Sequence, residues 1–123
     1  MTSERREKRS HNLQEALELQ LKATARRGQF SAVVLTEKQG IPVAAAGDVA
    51  SAELYAAFAP QLASGRRLWQ GNIQGDDGSV RLVTVAPVRS EMGDLFMCAV
   101  GGESGRIIAE LLIGSRGVNR ILA

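Results

Sequence analysis

The chain has 123 residues, of which 45% are hydrophobic and 4% aromatic. That suits one domain whose core is built from aliphatic and alanine packing. The formal charge of +2 sits in the first twelve residues, where Arg5, Arg6, Lys8 and Arg9 outnumber Glu4 and Glu7, while the other 111 residues carry equal numbers of acids and bases. A charge confined to one terminus argues against a nucleic-acid surface on the domain.

Met1–His11 has mixed charge and no hydrophobic period, and reads as a frayed tail ahead of a single domain spanning 12–123. Asn12, with Glu15 three residues on, resembles a capping box. Leu13, Ala16, Leu17, Gln20, Leu21 and Thr24 then recur at helical spacing up to Gly28, giving an amphipathic helix of about four turns. Phe30–Gly47 holds two apolar runs around Glu37-Lys38-Gln39-Gly40. Near-continuous apolar strands are covered on both faces, so this hairpin belongs inside a sheet with helices on each side.

Asp48 reads as an N-cap for a helix running through Ser51, Leu54, Tyr55 and Phe58. That helix is apolar around most of its circumference and should touch more than the sheet. Pro60 sets two alternatives: a kink near Phe58, or an end there followed by a short turn to Ser64. Leu68–Gln74, with Trp69, is a weak strand. Gly75–Gly78 is a turn, Ser79–Val88 a long strand interrupted at Pro87, Glu91–Asp94 a second turn and Leu95–Val100 the most apolar strand. The final helix carries Ile107, Ile108, Leu111, Leu112, Val118, Ile121 and Leu122 at spacings of three and four. Gly114 and Gly117 within it imply either close packing on a neighbour or a break near Ser115. The order is helix, two strands, helix, three strands, helix.

Residues suited to catalysis are scarce. His11, the sole histidine, lies in the tail, and Cys98, the sole cysteine, lies in an apolar strand. This leaves no histidine general base inside the fold, no thiol–imidazole pair, no disulfide and no metal set of His and Cys. Gly101-Gly102-Glu103-Ser104-Gly105 lacks the lysine of a phosphate-binding loop and the glycine spacing of a nucleophile elbow. It reads as a strand-to-helix turn, with a minor anion site as the alternative. Asp76-Asp77 reads as turn chemistry. Arg66-Arg67 beside Trp69 is either an interface core or a solvated turn. No apolar stretch approaches the roughly 20 residues that span a bilayer, and no secretory signal precedes the domain, so membrane insertion is not expected and the expected location is cytoplasmic.

The hairpin A-V-V-L-T-E-K-Q-G-I-P-V-A-A-A-G, the helix ending F-A-P-Q-L-A, the run F-M-C-A-V-G-G-E-S-G and the terminal G-V-N-R-I-L resemble a roadblock/dynein light-chain domain over Leu13–Leu122. The family usually has Ser-x-Asp-Gly at the hairpin turn, where this chain has Thr36-Glu37-Lys38-Gln39-Gly40. The resemblance implies a profilin-like α/β sandwich of the α+β kind. Its sheet would be five-stranded and antiparallel, with the middle helix on one face and the terminal helices on the other. It also implies a homodimer, third strand against third strand and middle helix against middle helix. An exposed edge at Leu68–Gln74 and a surplus of apolar surface on the middle helix point the same way.

Bacterial members are similar to partners of small Ras-like GTPases, so the resemblance implies a non-catalytic regulator without cofactor, metal or nucleic acid. The alternative is a structural adaptor in a kinase or motor complex. The dimer-facing candidates are Trp69, Ile73, Ala52, Tyr55, Ala56 and Ala59. The partner-facing candidates are Glu53, Gln61, Arg66 and Arg67.

Overall fold

The computed structural model describes residues 2–48, 50, 52–63, 65, 67–74, 78–91 and 93–123, without the side chains of residues 2–10 and 52. The first element, α1 (Thr2–Gly28), is longer than the sequence pattern predicts. The expected cap at Asn12 is corrected, since that residue lies inside the helix. The added turns contain neither proline nor glycine and carry no apolar stripe, so the hydrophobic period begins well after the helix does. From Leu13 onward one flank packs inward, burying Leu17, Leu21, Thr24 and Ala25.

The last residue of the helix is glycine for a steric reason. A Cβ there would lie 2.3 Å from the Phe30 ring, and the following Gln29 takes the left-handed conformation (φ 53°) that reverses the chain. The Gly28 carbonyl, left without a helical partner, accepts a 2.9 Å hydrogen bond from the Glu103 amide.

Strands β1 (Phe30–Glu37) and β2 (Pro42–Gly47) form the expected hairpin, but the expectation that both lie inside the sheet is corrected: β2 ends the sheet, and its residues are exposed, half-buried or buried in turn because no strand covers its outer edge. Gly40 closes it at φ 85°, with its amide 2.9 Å from the Glu37 carbonyl. The rest of the sheet is β3 (Trp69–Gln74), β4 (Val80–Ser90) and β5 (Gly93–Gly101), in the antiparallel order β2-β1-β5-β4-β3. The continuous burial of Ala32, Val33, Val34 and Leu35 follows from the inner position of β1, between β2 and β5. Pro87 is accommodated because β3 pairs with β4 only as far as Val85, which leaves that end of β4 a ladder on the β5 side alone. The turn expected at Gly75–Gly78 lies outside the described residues, apart from Gly78.

Helices α1 and α3 (Ile107–Leu122) cover one face of the sheet, and α2 (Ala52–Leu62) covers the other. One core includes Leu17, Leu21, Val33, Leu35, Met97, Leu111 and Val118. The second joins Val34, Val83, Val85, Phe96, Cys98 and Val100 to the inner flank of α2. The expected alternation of helix and strand, and the helices on both faces, are therefore present.

The glycines of α3 mark close packing, and the helix is unbroken at Ser115. A Cβ on Gly114 would lie 2.5 Å from Thr24 Oγ1, and one on Gly117 would fall 2.3 Å from the Gln20 side chain. The absent side chains let α3 settle onto α1 at a separation that alanine would prevent.

At α2, the helix neither ends at Phe58 nor stops at Pro60; it runs through the proline to Leu62. Asp48 Oδ1 accepts from the Ala50 amide at 3.3 Å ahead of it. Pro60 has no amide hydrogen, so the Ala56 carbonyl four residues earlier loses its helical donor. The hydroxyl of fully buried Thr36 stands 3.4 Å from that carbonyl and 3.1 Å from the carbonyl of Ile41. The end of β1 thus partly compensates a gap in α2.

Candidate partner interface

The strand β3 ends the sheet. Its one described ladder runs to β4, from Trp69 opposite Val85 to Gln74 opposite Val80. Trp69, Gly71 and Ile73 are half-buried and alternate with exposed Gln70, Asn72 and Gln74. Trp69 and Ile73 pack against the core beneath α2. The indole lies over Gly71, where a Cβ would come within 2.8 Å of it, so the glycine gives the ring its seat. Gln70 Nε2 donates to the buried Thr84 Oγ1 on the opposite face (3.1 Å). The weak strand of the sequence is therefore an edge carrying a tryptophan on the α2 side.

Helix α2 lies over β1, β5 and β2. Its inner flank is Tyr55, Ala56, Ala59 and Ala63, buried at 7%, 0%, 0% and 1% exposure. The expectation that Tyr55, Ala56 and Ala59 face a second protomer is corrected: the chain's own sheet already covers them. The side chain of Ala52 lies outside the described residues. The flank left to solvent presents Leu54 at 37% and Phe58 at 42% exposure, with exposed Glu53, Ala57 and Gln61 around them. A helix with apolar residues on both flanks offers no contrast from which a period could tell inside from outside. The larger side chains at Leu54 and Phe58 were the available signal. Arg67 is exposed near the start of β3, and Arg66 lies outside the described residues.

The groups considered for chemistry are spent on structure. His11 Nε2 lies 3.0 Å from Glu15 Oε1 on the exposed side of α1. Cys98 is buried in β5, and desolvation pushes its thiol up to about 12, which suppresses the nucleophilic thiolate. In the turn before α3, Glu103 supplies its amide to Gly28, its carbonyl to the Arg106 amide and its carboxylate to Arg106 Nε at 3.4 Å. No cluster of three metal-ligating side chains occurs among the described residues, nor any helix long and apolar enough to cross a membrane.

Half-buried Trp69 and Ile73 on the edge strand and exposed Leu54 and Phe58 on the helix thus lie on the same side of a five-stranded sandwich. Solved structures of MglB share this fold. Myxococcus xanthus MglB superposes with a TM-score of 0.63 at 12% identity, covering 87% of each chain. The gliding protein MglB from Thermus thermophilus gives 0.64 at 17%, covering 89% of this chain and 90% of that one. An MglB in a tetrameric arrangement gives 0.62 at 17% with the same coverage. No protein-family model matches this sequence, and a search of curated protein sequences finds no match. The likeness is therefore one of fold.

Proposed function

We propose that this chain is a non-catalytic regulatory module that binds a small Ras-like GTPase and modulates its nucleotide state or localisation. It would do so in the cytoplasm, as a homodimer joined through β3 and the outer flank of α2. The observation that carries the reading is the pairing of an MglB-like fold over nearly nine-tenths of the chain with exposed Leu54 and Phe58 on α2 and an edge strand, β3, bearing Trp69 and Ile73 on the same side of the sheet.

Two β3 edges meeting across a twofold axis would satisfy backbone groups that the single chain leaves to water. The same symmetry would bring two α2 helices side by side, with Glu53, Gln61 and Arg67 around the apolar centre. Such a rim suits a polar partner surface. The partner would hold the nucleotide, and the dimer would act by positioning its switch segments.

The test is the GTP hydrolysis and nucleotide-exchange rate of a Ras-like protein encoded beside this chain, measured with and without it, together with co-elution of the two. A changed rate with co-elution is expected. Unchanged rates and separate elution refute the GTPase reading and favour an adaptor for a kinase or motor complex.

A further inference from the structure

An open cleft of about 820 Å3 lies where β4 ends beside α3. Arg89 and Ser90 contribute from β4, Glu91 from the turn, and Arg116, Asn119 and Arg120 from α3. The three arginines are exposed, and the ion pairs among the described residues, His11–Glu15 and Arg106–Glu103, involve none of them. The cleft, which Ala123 also lines, therefore gathers three guanidiniums outside those pairs and one side-chain carboxylate, Glu91, with Asp94 opposite Arg89 across the ladder, on a domain whose charges as a whole sum to zero.

Two features of the fold determine what such a cleft can hold. Arg116 and Arg120 are one helical turn apart and share a flank of α3, which sets their Cβ atoms roughly 5–6 Å apart. Beyond Val85, β4 has no β3 neighbour, so Ala86 to Arg89 form a strand edge whose ladder runs to β5. Val83 and Val85 pack in the α2-side core, while Ala86 and Val88 pack under α1 and α3. That alternation puts Arg89 on the α2 side of the edge, across from the two arginines of α3. Cations thus flank an open strand end from both faces.

We propose that this cleft docks an acidic segment of a partner protein, extended along the free end of β4. Successive side chains of an extended chain point to opposite faces, and alternate ones repeat at roughly 6.5–7 Å. Carboxylates at alternate positions would meet Arg116 and Arg120, and the one between them would meet Arg89. Arginine recognises carboxylates through paired N–H donors, so this spacing confers register as well as attraction. A nucleotide fits less well, because none of the lining residues is aromatic. The surface is separate from β3 and the outer flank of α2, and the proposal does not rest on the GTPase reading.

The probe is a fluorescent hexaglutamate peptide titrated into the intact protein by anisotropy, with backbone amide shifts mapping its contacts. Saturable binding is expected, with shifts confined to residues around 88–91 and 116–120, weakening several-fold between about 50 and 200 mM salt. The Arg116→Glu/Arg120→Glu pair should weaken binding by about tenfold or more, and the Arg89→Ala variant by a smaller factor. A charge-neutral Arg116→Gln/Arg120→Gln variant, checked by its circular dichroism melt, separates lost contact from lost fold. Absence of saturable binding, or shifts outside the cleft, overturns the proposal. Inorganic phosphate displacing the peptide from the same amides at equal concentration overturns it in favour of a simple anion site. Anionic lipid vesicles binding where the peptide does not overturn it in favour of a membrane surface.

Discussion

Phe58 offers the sharpest test of the dimer, because its effect follows from its exposure. The ring is 42% exposed on the outer flank of α2. A large aromatic side chain has about 150–250 Å2 of surface, so about 80 Å2 of Phe58 faces water in the isolated chain. Covering that area at about 25 cal/mol/Å2 stabilises the complex by about 2 kcal/mol per protomer. A twofold axis counts each contact twice, giving about 4 kcal/mol as the upper bound for the pair. Phe58→Ser should therefore raise the dimer dissociation constant by up to about a thousandfold. Sedimentation velocity over a dilution series reads this directly. Urea unfolding below the dissociation constant measures the separate effect on the monomer. If Phe58→Ser stays dimeric at the same dilutions as the wild-type chain, the outer flank of α2 is not the interface. If the wild-type chain sediments as a monomer throughout, the dimer itself is refuted.

Trp69→Asp should also shift the chain from dimer to monomer in sizing experiments, and a persistent dimer would show that β3 is not the joint. Gly114→Ala gains up to about 1 kcal/mol of helix propensity, but its Cβ would meet Thr24 Oγ1 at 2.5 Å. Overpacking costs about 1–3 kcal/mol, so a net loss of about 1 kcal/mol is expected; adding Thr24→Ala should recover most of it, and additive losses would refute the steric account. Thr36→Val should cost about 1 kcal/mol by orphaning the Ala56 carbonyl, and clearly less in a Pro60→Ala background where residue 60 regains a donor. Equal costs in both backgrounds would break that link. For Cys98, the raised folded value means the unfolded thiol ionises first, near 9, while the folded one holds its proton to about 12. Stability should fall by up to about 1.4 kcal/mol per pH unit across that window. The Cys98→Ala variant should lack this part of the slope, which urea midpoints at successive pH values above 9 would reveal.

The sandwich was legible wherever the hydrophobic pattern had contrast. Phe30–Gly47 announces the hairpin and the burial of β1, though not that β2 would form an edge, and the glycines of α3 left close packing or a break near Ser115 as alternatives, of which the structure shows the first. The first turns of α1 were not legible, because helical backbone on a polar segment leaves no apolar period to count. On α2 the same rule failed in the other direction: Tyr55, Ala56 and Ala59 pack on the sheet, while Leu54 and Phe58 face out. The arginine cleft could not be read at all. Arg89 and Arg116 come together only because α3 folds back along β4, and no spacing in the chain encodes that meeting.

The missing hydrogen bond at Pro60 also changes how α2 carries a load. A helix with every rung in place transmits a push along its length as one rod. Here the rung between Ala56 and residue 60 is absent, and bending is cheapest at such a gap. The two halves of α2 therefore act as short levers meeting at a compliant joint, with Thr36 placed at that joint from the end of β1. This gives a rigid sandwich a point of give directly beneath the surface where a partner would press.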